Sequence, residues 1–182
     1  MKLDTIIPII RKLEENNIMY SLGGSGLLYY LNLVESINDW DITVDCSKEE
    51  LLKALNGHDC LELESGDYPF ASQYRLSFET QHIDFIGGFA LHAEKGILQL
   101  PLERLGEWNG IHMASPEVWY VAYYLMGRQS KADLLLHYLQ NNACTINYSL
   151  IEDLLKSFSL GQELRQSLTS LVIEAKSYKS SD

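Results

Sequence analysis

Between residues 18 and 45 the chain changes its hydrophobic period twice, and each change falls on residues that carry chemistry. Ile18–Leu22 reads as a short strand, and Gly23-Gly24-Ser25 ends it. Leu27–Val34 is apolar on nearly all sides, so it reads as a buried helix. Trp40–Asp45 alternates and is rich in Ile, Thr and Val, the pattern of a strand. A strand, a tight turn, a helix and a second strand in so short a span indicate an α+β arrangement.

The turn itself is informative. Glycines let a backbone approach a ligand closely. A helix that begins there offers unpaired N–H groups and a positive dipole end, which suit a phosphate, and Ser25 adds a hydroxyl. The same residues also suit a tight strand-to-helix turn with Ser25 as the N-cap.

Fourteen residues beyond Ser25 stands Asp39-Trp40-Asp41. Strand residues two apart face one side, which places these carboxylates ~7 Å apart at Cα. Their oxygens can converge on divalent ions, and Mg²⁺ favours carboxylate oxygen together with substrate phosphate and water. Trp40 and Ile42 then face a core. The competing reading is an acidic strand end. A third acid lies in His82-Ile83-Asp84-Phe85-Ile86, pointing away from Ile83 and Phe85. An acid in an apolar strand needs a partner, because burying an unpaired charge is costly. A metal would serve, as would Arg75 on a neighbouring strand. His82, two residues away, could orient Asp84.

The rest of the front half reads as further α+β structure. A helix is expected over residues 3–16 with Asp4 as N-cap, and Ser47 with Glu50 forms a capping box before Leu51, Leu52 and Leu55. Cys60–Leu63, Tyr74–Phe78 and Ile83–Ile86 read as strands, the last two joined as a hairpin through Glu79–Gln81. Asp59, Glu62, Glu64 and Asp67 read as a solvated acidic edge.

The texture changes near residue 112. Ser115-Pro116-Glu117 is an N-cap followed by Pro at the first helical position, with Trp119, Tyr123 and Met126 at helical spacing as core. Ser130 and Asp133 suggest a capping box for a second helix, Asn147 opens a third, and Leu160, Leu164, Leu168, Leu171 and Val172 fit a fourth. Two units are expected, a core over 1–112 and a helical bundle over 113–182. Ser177–Asp182 reads as a frayed end. Tyr29, Tyr30, Tyr120 and Tyr124 read as packing aromatics that could also stack on a base.

Taken together, Gly-Gly-Ser after a strand, Asp-x-Asp on the next and a later strand Asp resemble the nucleotidyltransferase superfamily, the fold of DNA polymerase beta and of antibiotic nucleotidyltransferases. The match covers about residues 18–86. Ser115-Pro116-Glu117-Val118 and Gly127-Arg128-Gln129-Ser130-Lys131-Ala132-Asp133 look like the helical segment that follows the core in bacterial small-molecule members. The resemblance implies a mixed sheet with flanking helices plus a C-terminal helical bundle. It implies that Gly23, Gly24 and Ser25 contact a triphosphate and that Asp39 and Asp41 hold metal. Asp84 would be the third acid, completing the metal site and activating an acceptor hydroxyl. The implied reaction is Mg²⁺-dependent, with two ions. It moves a nucleoside monophosphate from ATP or another nucleoside triphosphate to a small molecule or protein, releasing pyrophosphate. The alternative is a non-catalytic relative that binds nucleotide or a protein partner, such as half of a toxin–antitoxin pair.

Charge bears on both readings. The formal net charge is −11, and most of the acid excess lies before residue 112. No basic face is available for phosphates of DNA or RNA, which argues against nucleic acid as the main partner. Phosphoryl transfer wants cations near the leaving group, yet Glu35-Ser36-Ile37-Asn38 precedes the acid pair and no Lys or Arg adjoins the turn. Arg75, Arg128 and Lys131 are the candidates to supply them, although Lys131 also fits a solvated helix position. The acidity favours a cationic acceptor such as an aminoglycoside, by steering. Three scattered cysteines, no signal-peptide pattern and no apolar run near ~20 residues lead to an expectation of a soluble cytoplasmic protein without a membrane span.

Overall fold

Pro8 decides where the first helix begins. It lacks an N–H, which costs nothing only in a helix's first turn. The helix α1 accordingly runs Ile7–Glu15, after a separate 3-10 turn at Leu3–Thr5. Asp4 lies in that turn, and the cap position falls on Ile6 with no side-chain cap, so the expected single helix from residue 3 is corrected. The computed structural model describes residues 3–56 and 60–179, the side chain of Lys179 excepted. Asp59 and residues 180–182 lie outside that range, and Ser177–Lys179 are helical rather than frayed.

After α1 come β1 (Met19–Leu22), α2 (Gly24–Tyr30), β2 (Trp40–Asp45), α3 (Lys48–Ala54), β3 (Leu61–Leu63), β4 (Tyr74–Phe78) and β5 (Ile83–Gly87). Four short strands follow, β6 (Ala90–Ala93), β7 (Gly96–Gln99), β8 (Arg104–Trp108) and β9 (Ile111–Ala114). The helices α4 (Pro116–Leu125), α5 (Gln129–Asn141), α6 (Tyr148–Leu155) and α7 (Gln162–Lys179) complete the chain. The alternation in β2 and β4 and the hairpin β4–β5 agree with the sequence pattern. The helix α2 starts earlier and ends sooner than its apolar run suggests. The four strands β6–β9 add to what the sequence pattern predicts.

The main sheet has the order β3-β4-β5-β2-β1-β9-β8, and β6–β7 form a separate hairpin. Two contacts are parallel, β2 with β5 and β1 with β9, and the rest are antiparallel. This is a mixed sheet with helices around it. One face is apolar: Tyr20, Leu22, Trp40, Ile42, Phe78, Ile83 and Phe85 are fully buried. The opposite face of the same strands carries Ser21, Thr43, Asp41, Asp84 and Arg75. Period-2 alternation therefore separates the core from the candidate chemistry strand by strand.

The strand β9 straddles position 112, pairs with β1 through Leu22 and Met113, and leads directly into α4. Ser115 caps that helix, its Oγ accepting from the Val118 N–H at 3.3 Å. The buried Glu117 then ties the helices together. It accepts from the Ser115 hydroxyl at 2.5 Å and from the Asn147 N–H at 2.9 Å. Asn147 caps α6 as expected, its Oδ1 accepting from the Leu150 N–H at 3.2 Å. The Ser130–Asp133 box does not form. Gly127, at φ +67°, ends α4, and α5 begins two residues later at Gln129 with Arg128 in the uncapped N-cap position. Asp133 instead accepts from Gln129 Nε2 at 2.8 Å.

Candidate active site

The turn after β1 is shaped by what touches it. Gly24 has φ +56°, and a Cβ there would stand 1.7 Å from Asp41 Oδ2. A Cβ on Gly23 would stand 1.9 Å from the Trp119 indole. Both glycines are thus required by close neighbours, a carboxylate on one side and a ring of α4 on the other. The Gly23 N–H donates to the Asp41 carbonyl at 2.8 Å, which pins the turn to β2.

Ser25 is buried and does not cap α2. Its hydroxyl donates to the Asp39 carbonyl at 2.8 Å, lies 3.1 Å from Asp39 Oδ1, and accepts from the N–H groups of Asn38 and Asp39. Its hydroxyl therefore holds the approach to the Asp-x-Asp pair in place.

Asp41 is the direct register partner of Asp84 across the parallel β2–β5 pair. Asp39 lies just before β2, two residues upstream on the same side. These three acids, with Phe70, Arg75, Ile86, Phe89, Trp119, Met126 and Arg128, line a cleft of about 40 Å³. That is room for ions and a few waters, whereas ligand sites run to several hundred Å³. Burial and the like charges of Asp39 and Asp84 push the Asp41 carboxyl up to about 7, while Arg128 and Lys131 pull it down. Asp41 is only partly buried as a residue, yet loss of water around its carboxyl is the largest of these effects.

Arg75 stacks on Phe70, with its Cζ 3.6 Å from the ring centroid, and donates from Nη1 to the Glu64 carbonyl at 3.3 Å. Its Nε is buried without a hydrogen-bond partner. Its charge acts on Asp84 and Asp41, so it shares the cleft with Asp84 but makes no ion pair with it. Lys131 is half-buried, its Nζ 5.3 Å over the Tyr123 ring. Its effect is the smallest of those that pull the Asp41 carboxyl down, and it does not line the cleft.

Other expectations resolve differently. His82 is exposed at φ +53° in the β4–β5 turn, so strand alternation does not carry its side chain beside Asp84, and it does not line the cleft. Tyr29 and Tyr30 pack around Trp108 at 5.7 and 6.2 Å. The Tyr120 hydroxyl pairs with Ser167 at 2.7 Å, and Tyr124 donates to Glu163 at 3.0 Å. Sequence reasoning misses Phe70 and Phe89 as walls, and it takes Trp119 as plain core. Its helical spacing is that of any buried stripe, and only the close fit of Gly23 to its ring signals more.

Among the described residues, no group of three or more His, Cys, Asp or Glu side chains is arranged around one metal position. The donor chemistry nevertheless fits a hard divalent cation. The cleft offers carboxylates and no thiolate or imidazole. Asp41 is crowded by like charge that a cation would relieve.

No protein-family model matches the chain, and no curated protein sequence does. Solved structures do match. One is TM1012 of Thermotoga maritima, provisionally described as a nucleotidyltransferase. It is 20% identical at a TM-score of 0.53, over 78% of this chain and 97% of that one. Another is the antibiotic-resistance factor ANT(2'')-Ia, 13% identical at a TM-score of 0.53, over 98% of this chain and 97% of that one. At these identities the likeness concerns the fold. No described helix is long and apolar enough to cross a membrane. The chain has a nucleotidyltransferase-like fold, resembling that of antibiotic nucleotidyltransferases.

Proposed function

We propose that this protein is a metal-dependent nucleotidyltransferase, moving a nucleoside monophosphate from a nucleoside triphosphate to an acceptor hydroxyl. The observation that carries the reading is the convergence of Asp39, Asp41 and Asp84 on one cleft beside the Gly23–Gly24 turn. Asp39 and Asp41 would hold Mg²⁺, with Asp84 as the third ligand. The ions would supply charge neutralisation at the phosphates and the acceptor oxygen. Asp84 would take the acceptor's hydroxyl proton. The acceptor oxygen then bonds to the α-phosphorus as the bond to pyrophosphate breaks. Arg75, Arg128 and Lys131 provide the positive field that the turn itself lacks. The turn brings backbone close to the phosphates, while Ser25 acts through Asp39.

A pocket of about 300 Å³ flanks the same end of α4, lined by Tyr68, His92, Glu94, Tyr124 and Glu163 among others. Two carboxylates beside two tyrosine rings suit an amine-bearing acceptor, in line with the acidic charge of the chain.

The test is transfer of label from α-labelled ATP, GTP, CTP and UTP to a panel of amino-sugars, amino alcohols and host proteins, with Mg²⁺ present or chelated. Transfer by the wild type, lost with chelator and reduced at least 10²-fold in Asp84→Asn, supports the reading. Asp84→Asn activity equal to wild type contradicts the role of Asp84. ATP and Mg²⁺ binding without transfer to any acceptor favours the non-catalytic nucleotide binder, which the commitment of the Ser25 hydroxyl to Asp39 also suits.

A further inference from the structure

Arg75 lines the carboxylate cleft, yet two contacts turn its guanidinium toward the connection between β3 and β4. The Phe70 ring lies 3.6 Å from its Cζ, and the Glu64 carbonyl accepts from its Nη1 at 3.3 Å. Its Nε is buried with no hydrogen-bond partner. An arginine fork presents five N–H donors in a plane that matches phosphate oxygens. Here one donor is spent on a main-chain carbonyl, the flat face is spent on a ring, and a buried donor is idle. An idle buried donor is unfavourable and calls for an explanation.

The connection is tied down on both sides. The Ala71 N–H donates to the Ala90 carbonyl at 2.9 Å, the His92 N–H donates to the Pro69 carbonyl at 2.9 Å, and Phe70 bridges Leu91 of β6. The Tyr68 hydroxyl donates to the Leu125 carbonyl at the end of α4, at 3.1 Å. This fixed backbone presents the Phe70 ring to a cleft of about 40 Å³. A nucleotide needs several hundred Å³, so a wall must give way. Of the apolar walls, Ile86, Phe89 and Trp119 are buried in the core, and the Trp119 ring is fitted closely to Gly23. Phe70 and Met126 are half-buried, with room to change rotamer. Phe70 is the one of these two that is stacked on Arg75.

We infer that the Phe70 ring is a plug that narrows the carboxylate cleft and parks Arg75 on its face, and that Arg75 turns to the phosphates of a nucleotide once the ring swings out. The inference rests on the nucleotidyltransferase reading above and adds a built-in restraint to it. Phosphate oxygens supply the acceptor that the Arg75 Nε lacks. Only the fraction of molecules with the ring out binds nucleotide, so the plug lowers the apparent affinity by that fraction.

The experiment is calorimetric titration, with Mg²⁺ present, of an ATP analogue whose bridge between the α and β phosphates cannot be cleaved. It compares wild type, Phe70→Ala, Phe70→Leu, Arg75→Gln and the Phe70→Ala/Arg75→Gln double variant, each first shown to be folded by thermal unfolding without ligand. Phe70→Leu keeps apolar bulk but loses the ring face that holds the cation, so it serves if Phe70→Ala does not fold. Both Phe70 variants should bind the analogue about 3-fold more tightly or better, as the competent fraction rises. Arg75→Gln should bind about 10-fold more weakly or worse, through loss of a charged hydrogen bond. The double variant should bind no more tightly than Arg75→Gln, the coupling expected of two residues acting as one device. Phe70 variants that bind as wild type does, or more weakly, overturn the plug while leaving the nucleotide site standing. A gain from Phe70→Ala that survives Arg75→Gln also overturns it, since the ring then acts by bulk and does not park Arg75. Absence of binding in wild type and in every variant overturns both this inference and the functional reading it rests on.

Discussion

Asp41 on β2 and Asp84 on β5 are register partners in a parallel strand pair, so their backbones stand one strand spacing apart and their side chains share a face. That spacing is about 4.8 Å. Antiparallel β1 and β4 flank the pair, and the Gly23–Gly24 turn closes over Asp41 from the β1 side. Two acids so placed repel each other unless one is protonated or a cation intervenes.

The first consequence is a pH dependence of stability. The carboxyl of Asp41 is raised from 3.8 to about 7 in the folded protein. Between those values the folded state binds more protons than the unfolded state, so stability falls as pH rises through that window. The stabilisation is fully present below the unfolded value. A tenfold change in proton affinity corresponds to about 1.4 kcal/mol, so the loss amounts to a few kcal/mol at most. Urea unfolding of wild type and Asp41→Asn at pH 4.5, 6 and 7.5 checks it. The difference between the two should move in favour of Asp41→Asn as pH rises.

Gly24→Ala tests the turn. The left-handed backbone alone costs ~1–2 kcal/mol for a residue with Cβ, and the new methyl would collide with the Asp41 carboxylate. Gly110→Ala is the control, at φ +80° with nothing within 4 Å of its Cβ. Denaturant midpoints should show a clearly larger loss for Gly24→Ala. Equal losses would mean that contact with Asp41 is unimportant.

Ser25→Ala separates two roles for that hydroxyl. As a clamp on Asn38 and Asp39, its loss should destabilise the ligand-free protein by ~1–3 kcal/mol. A hydroxyl reserved for phosphate would leave the ligand-free stability unchanged and weaken only nucleotide binding. Equilibrium unfolding without ligand distinguishes them.

Glu117→Ala leaves the Ser115 hydroxyl and the Asn147 N–H without their shared acceptor. A loss of ~1–3 kcal/mol is expected. Metal affinity, measured on the fraction that remains folded, should not change, because Glu117 does not line the cleft.

Much of this arrangement is legible in the residues. The alternation of Trp40–Asp45 and Tyr74–Phe78 identifies strands because each has one fully buried face. Asp41 and Asp84 stand out because acids interrupt otherwise apolar strands, and Asp39 because it stands two residues before Asp41. The strands β6–β9 are hidden because each has only four or five residues and two of them, β7 and β8, are largely exposed. Such strands carry little hydrophobic contrast for a period to show. The start of α5 is easily misplaced because Ser130 and Asp133 mimic a capping box, while the backbone freedom of Gly127 lets the helix begin earlier.

The central claim is a metal–nucleotide site on Asp39 and Asp41. Its most direct test is thermal unfolding with ATP, with Mg²⁺ and with both, on wild type and on the Asp39→Asn/Asp41→Asn double variant. A ligand that binds only the folded state adds RT ln(1 + [L]/Kd), ~2.7 kcal/mol at a hundredfold excess over Kd. The account predicts a rise in Tm that needs ATP and Mg²⁺ together and vanishes in the double variant. A Tm unmoved by any combination, or moved equally in the double variant, would contradict it.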